Sequence, residues 1–214
     1  MRWISLFGFF TLAGAWLSAQ PQRKPIPIPR DPPDIHPQYF PDGVFEDSLW
    51  EGSFRGLKER WYAKHLRSMD EPSLSEASQD TTLPAYRFLW LRTFHHPISV
   101  RLTVHADGTG TLNAKETDGH GGYETGKVVR SQSGEMAKTQ MTEFFDLVRK
   151  AGFWSLPSEE KSSGLDGAQW VLEGMEDGHY HVVDRWSPPR GNYQRLCLYL
   201  LEQSKLKVQT KDIY

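Results

Sequence analysis

The stretch from Gly164 to Trp186, GLDGAQWVLEGMEDGHYHVVDRW, constrains the fold most, because two β-branched and aromatic runs flank Asp177-Gly178. That dipeptide between alternating apolar residues is a strong short-range hairpin signal. A two-residue turn pairs Glu176 with His179, Gly174 with His181, Leu172 with Val183 and Trp170 with Arg185. The opposite face then carries Gln169, Val171, Glu173, Met175, Tyr180, Val182, Asp184 and Trp186. Bulky apolar groups fall on both faces, so the hairpin is expected at the centre of the fold, covered on two sides.

Other segments repeat this logic. Tyr86 to His95 alternates bulky residues in both directions and reads as a buried strand. Ile98 to Val104 alternates apolar with polar, and Asp107-Gly108 turns the chain into Thr109 to Glu116, a second hairpin. A glycine-rich stretch, Thr117 to Gly126, is expected to be a flexible loop before a short strand near Lys127 to Ser131. Lys138 to Ala151 places Met141, Phe144, Phe145 and Val148 on one stripe with Gly152 as C-terminal cap, and Tyr193, Leu196, Cys197, Leu200 and Leu201 mark another amphipathic helix. An N-terminal helix is expected near Leu49 to Met69, secure from Leu57, and Pro72 to Pro84 is expected to be a mobile surface loop. The class is α+β. It combines an antiparallel sheet of about five to seven strands, two helices after the first strands, and an N-terminal amphipathic helix over a face or edge.

The organisation reads as a signal peptide over residues 1–19, a proline-rich linker over 20–44 and a single α+β domain over 45–214. Arg2, the apolar run Trp3 to Leu12 and the small residues up to Ala19 fit export with cleavage after Ala19. No membrane-spanning helix is then expected in the mature chain. The linker holds eight of the fourteen prolines, which block helix and central strand. The 25 basic and 27 acidic residues are interspersed without a basic stripe, which argues against a nucleic-acid partner. One cysteine precludes an intrachain disulfide and a four-cysteine zinc site.

The phrases Tyr86-Arg87-Phe88-Leu89-Trp90-Leu91-Arg92-Thr93-Phe94, Asp166-Gly167-Ala168-Gln169-Trp170 and Tyr180-His181-Val182-Val183-Asp184-Arg185-Trp186-Ser187-Pro188 resemble those of a group of uncharacterised exported bacterial proteins. The resemblance covers roughly Trp61 to Leu201. It implies a single exported domain and carries no catalytic residue with it.

Chemistry is sparse. No nucleotide-binding glycine motif, serine nucleophile elbow or helical metal-ligand pair occurs, so no cofactor, metal site or catalytic residue is assigned. His95-His96 and His179-Tyr180-His181 are the histidine pairs to consider, the latter sharing a strand face. Glu173 and Asp184 lie diagonally on one hairpin face, about 7 Å apart by strand geometry, within the range of paired glycosidase carboxylates. Arg92 or Arg185 could instead neutralise either acid. The leading expectation is an exported, non-catalytic module that binds a small molecule, peptide or envelope protein. Its binding residues would be Gln169, Glu173, Asp184, Trp186, His181, Arg185 and Arg92. The alternative is a hydrolase using the paired carboxylates or a histidine-bound metal. A rival fate for the Gln169/Glu173/Asp184/Trp186 face is burial beneath the N-terminal helix.

Overall fold

The chain builds one six-stranded antiparallel sheet in the order β4-β3-β2-β1-β5-β6, the expected α+β class. The computed structural model describes residues 38–45, 56–81, 83–160, 164, 166–209 and 212–214. The expected signal peptide and linker residues 20–37 lie outside these. The elements are α1 (Leu57–Ser68), α2 (Leu74–Ala77), β1 (Ala85–Arg92), β2 (Ile98–Val104), β3 (Gly110–Thr117), β4 (Val128–Met136), α3 (Lys138–Ala151), β5 (Ala168–Glu176), β6 (His179–Trp186) and α4 (Asn192–Gln203).

The β5–β6 hairpin has the register expected from its turn, Glu176 opposite His179 and Trp170 opposite Arg185. Asp177 and Gly178 have φ of 51° and 78°, the two positive values that a type I′ turn demands. Its place in the sheet differs from expectation. β5 is interior but β6 is an edge, and the middle belongs to β1, buried at all eight positions. The pairing that decides this, β1 with β5, joins segments distant in sequence and leaves no local signal.

Alternation along β1 sends Tyr86, Phe88 and Trp90 to one face and Arg87, Leu89 and Leu91 to the other. On the first face Trp90 sits opposite Trp170, ring centroids 5.3 Å apart, and Phe88 lies 5.2 Å from Trp170. α3 and α4 close this core with Met141, Phe144, Leu196, Cys197 and Leu200. α3 ends at Gly152, whose φ of 63° supplies the left-handed cap. Burial pushes the Cys197 thiol pKa up, consistent with a packing role.

On the second face α1 lays Tyr62, Ala63 and Leu66 over Leu89, Leu91, Val171 and Val182. Tyr39, Phe40 and Phe45 complete this layer, each 3 % exposed, with Phe45 packed edge-on against Tyr62 at 5.5 Å. The domain therefore begins before residue 45: Tyr39 and Phe40, within the stretch assigned to the linker, are core residues.

Three local expectations are corrected. The segment from Pro72 is docked, because α2 is capped by the Ser73 side chain and buries Leu74 beside Ala85 and Met175. The strand expected at Lys127 to Ser131 extends to Met136 by pairing along all of β3. The strand expected to reach His95 stops at Arg92, so Phe94 turns outward and is 54 % exposed.

Candidate functional site

The alternation places Gln169, Glu173, Asp184 and Trp186 on one face as expected, and α1 covers that face. Glu173 is fully buried and grips Arg87, with Oε2 2.7 Å from Nε and Oε1 2.7 Å from Nη2; the Tyr180 hydroxyl also donates to Oε1 at 2.9 Å. Burial raises the Glu173 pKa against the opposing pull of Arg87. Asp184, 2 % exposed, accepts from Lys58 Nζ at 2.8 Å and the Tyr62 hydroxyl at 3.0 Å, and Lys58 also pairs with Glu159. Burial likewise raises the Asp184 pKa, with Lys58 opposing. The two acids are thus held by separate partners, Asp184 by Lys58 and Tyr62 of α1 and Glu173 by Arg87 and Tyr180.

Neither arginine proposed from the sequence neutralises these acids through a side-chain contact. Arg185 lies on the other face, donating to the carbonyls of Asp184 and Pro157 and pairing with Glu160 at 3.1 Å. Arg92 shares that first face, with Trp90, through strand parity. Gln169 is 6 % exposed, and the Trp186 ring is covered by its own approach loop, where a Cβ at Gly164 would fall 2.6 Å from the indole Nε1. His181 also faces away from Glu173, its Nε2 3.0 Å from the Leu156 carbonyl and its ring against Phe153 and Trp154. Burial lowers its pKa. The seven side chains do not converge.

Concavities of the described surface lie away from these seven side chains' expected common face. A groove of about 1020 Å³ between α3 and α4 interleaves Glu143, Asp146 and Glu202 with Lys150, Arg190 and Arg195, so it carries no dominant sign. A smaller pocket of about 460 Å³ at the β5–β6 turn is lined by Trp154, Glu176, His179 and His181, among others. Among the described residues no group of three or more histidine, cysteine or acidic side chains is arranged to hold a metal, and no helix is long and apolar enough to cross a membrane.

A different constellation forms where the β1–β2 turn meets the glycine-rich β3–β4 loop. Phe94 and Tyr123, 54 % and 68 % exposed, lie with ring centroids 6.2 Å apart and planes inclined by 33°. Their support is tight rather than flexible: Gly121 N–H donates to the His95 carbonyl at 3.1 Å and Gly122 N–H to the Thr93 carbonyl at 3.3 Å. A Cβ on Gly121 would come 2.6 Å from the Arg92 carbonyl oxygen, so glycine is what permits this approach. The Trp61 indole on α1 donates to the Gly121 carbonyl at 3.0 Å, anchoring the loop from the other side.

Around this pair stand His95, whose Nδ1 is 2.8 Å from the Tyr214 hydroxyl, and His120, 3.2 Å from Glu124. Burial and then Arg92 lower the His95 pKa. Beneath them Arg92, 3 % exposed, stacks 4.2 Å over Trp90 and donates to the His96 carbonyl, while its Nε lacks a hydrogen-bond partner among the described residues. Burial lowers its pKa as well. Of the residues expected to bind, Arg92 alone belongs to this neighbourhood, and it underlies the platform without reaching the surface. The sequence marks His95-His96 and the glycines separately, but nothing local reports that Phe94 meets Tyr123. No protein-family model matches the chain, and no curated protein matches it.

Proposed function

We propose that the chain is an exported, non-catalytic binding module that engages its ligand at the loop end, with Phe94 and Tyr123 as the contact platform. The observation that carries this reading is the exposed pair of adjacent aromatic rings on backbone locked by glycine-to-backbone contacts. Large rigid aromatics supply contact area at small conformational-entropy cost, and exposing two together in water is unfavourable without a partner to cover them. The ligand class is a sugar or peptide presenting a flat apolar face to the rings. Export rests on the charged and apolar N-terminal run, and the resemblance to exported proteins adds to it. A hydrolase built on Glu173 and Asp184 is less well supported, since each buried acid is engaged by its own cation.

Glycan and peptide arrays probed with the protein and with a Phe94→Ala/Tyr123→Ala double variant test the reading. Binding to a defined subset is expected, lost in the double variant at unchanged melting temperature and retained in Trp154→Ala. Equal signals from the double variant and the unsubstituted protein would exclude the platform.

A further inference from the structure

The β5–β6 turn lies at the opposite end of the sheet from Phe94 and Tyr123: β1 pairs Arg92 with Ala168 at the platform end and Ala85 with Met175 at this one. Strand parity puts Tyr86, Gly174, Glu176, His179 and His181 on the face that α3 and α4 cover. A Cβ on Gly174 would fall 2.7 Å from the Phe153 ring and 2.9 Å from the Tyr86 ring. Its absence lets both rings in, and with Phe153 comes Trp154, its neighbour in the turn after α3. The pocket of about 460 Å³ formed there is lined by Trp154, Glu176, Asp177, His179, Tyr180 and His181. Its walls are braced. Trp154, 36 % exposed, packs edge-on against Phe153 at 5.1 Å and Tyr86 at 6.1 Å and lies 6.2 Å from His181. The Tyr86 hydroxyl donates to Glu176 Oε2 at 3.0 Å and so orients the carboxylate. The lining holds two carboxylates and no lysine or arginine. Burial lowers the His181 pKa, so this ring adds no positive charge at neutral pH, and Arg185, whose field also reaches it, is paired with Glu160. Turn chemistry accounts for Asp177, but not for Glu176 or for an exposed indole beside it.

We infer that this pocket binds a primary alkylammonium ion, with its charge on the Glu176 and Asp177 carboxylates and its methylenes against the Trp154 ring. The lining selects that class. An aromatic face attracts a cation through its quadrupole and covers an alkyl chain, whereas an anion would meet two carboxylates. A neutral apolar ligand would strip water from the acids without replacing it. The three N–H donors of a primary ammonium match the carboxylate oxygens in charge-assisted hydrogen bonds, which a quaternary ammonium cannot make. A free amine and the end of a peptide-borne lysine share this chemistry.

NMR titration of the isotope-labelled protein with n-butylammonium chloride, and with n-butanol as its uncharged counterpart, tests the inference. A saturable shift of the Trp154 indole N–H and the His179 amide is expected with n-butylammonium and not with n-butanol. Glu176→Gln is expected to weaken the binding at least about tenfold at unchanged melting temperature. Nα-acetyl-lysine amide, titrated in parallel, separates the sources: tighter binding than n-butylammonium assigns the pocket to a peptide-borne lysine, and equal or weaker binding to a free amine. Shifts that stay linear in n-butylammonium, equal saturation by n-butanol, or undiminished binding to Glu176→Gln overturns the proposal. Should that variant melt lower, Trp154→Leu decides instead, followed at the His179 amide. Weakened binding supports the pocket, and unchanged binding overturns it. The Phe94/Tyr123 platform is a separate site, and its own arrays decide it independently of these outcomes.

Discussion

Replacing Glu173 by glutamine keeps side-chain volume but removes one charge from a pair whose members are both fully buried. The Arg87 guanidinium would be left with the Pro72 carbonyl and with Glu71, 3.9 Å away and already shared with Arg101 at 2.9 Å and Lys115 at 3.1 Å. Breaking a buried ion pair by removing one partner typically costs about 3–5 kcal/mol, and the nearby Glu71 places this case near the lower end, at about 3 kcal/mol. For a domain of this size that lowers the melting temperature by roughly 6–12 °C. Asp184→Asn is the comparison. Its partner Lys58 has 18 % of its side chain exposed and retains Glu159, so the lone ammonium can rehydrate and the loss should be about 1–2 kcal/mol. Arg87→Met combined with Glu173→Leu should recover most of the single-variant loss, since it removes both charges together. Equilibrium urea denaturation of the four proteins measures this order. A Glu173→Gln loss under about 1 kcal/mol, or one no larger than that of Asp184→Asn, would refute the reasoning that burial of the partner sets the penalty.

The acid limb of stability and the N-terminus supply two more tests. Burial, with Lys64 adding to it, lowers the His65 pKa from 6.5 to about 4, so the unfolded chain takes up this proton first. Stability should therefore fall as pH drops from 6.5 towards 4, by about 3 kcal/mol at roughly 1.4 kcal/mol per pH unit, and His65→Gln should flatten that limb in urea denaturations run across the range; an unchanged slope would contradict it. Intact-mass measurement on exported protein should give a chain starting near Gln20, and an intact Met1 in that fraction would overturn cleavage after Ala19.

Local chemistry explains which parts of this fold are legible in the sequence. The β5–β6 register follows from one dipeptide with two positive φ angles and a strict period of two, and the end of α3 follows from Gly152. The partners of the buried acids depend on non-local pairing. Arg87 reaches Glu173 because β1 runs antiparallel to β5 with those two residues opposite, and Lys58 reaches Asp184 because α1 crosses that face. Arg185 is a legible case, since strand parity alone puts it on the face opposite both acids. The glycine-rich loop illustrates the opposite difficulty: composition reports that backbone can approach closely there, but not that Arg92 and Thr93 are what it approaches. The aromatic platform is invisible for the same reason, since Phe94 is in line with a buried strand until Thr93 turns it out.

The central position of β1 governs how the chain reaches its folded state. Its neighbours are β2, available at once through a short turn, and β5, which pairs Arg92 with Ala168 across most of the domain. Closing a loop of that length costs about 4 kcal/mol by the logarithmic scaling of chain entropy, before any ladder bond is gained. Until β5 arrives, Leu89 and Leu91 lack the Val171 beside which they pack, and the β1 edge is an open template for other strands. A chain emerging from its N-terminus therefore commits to this sheet late, after α3 has been made. A break in the chain before Ala168 should therefore yield an aggregating fragment rather than a smaller domain.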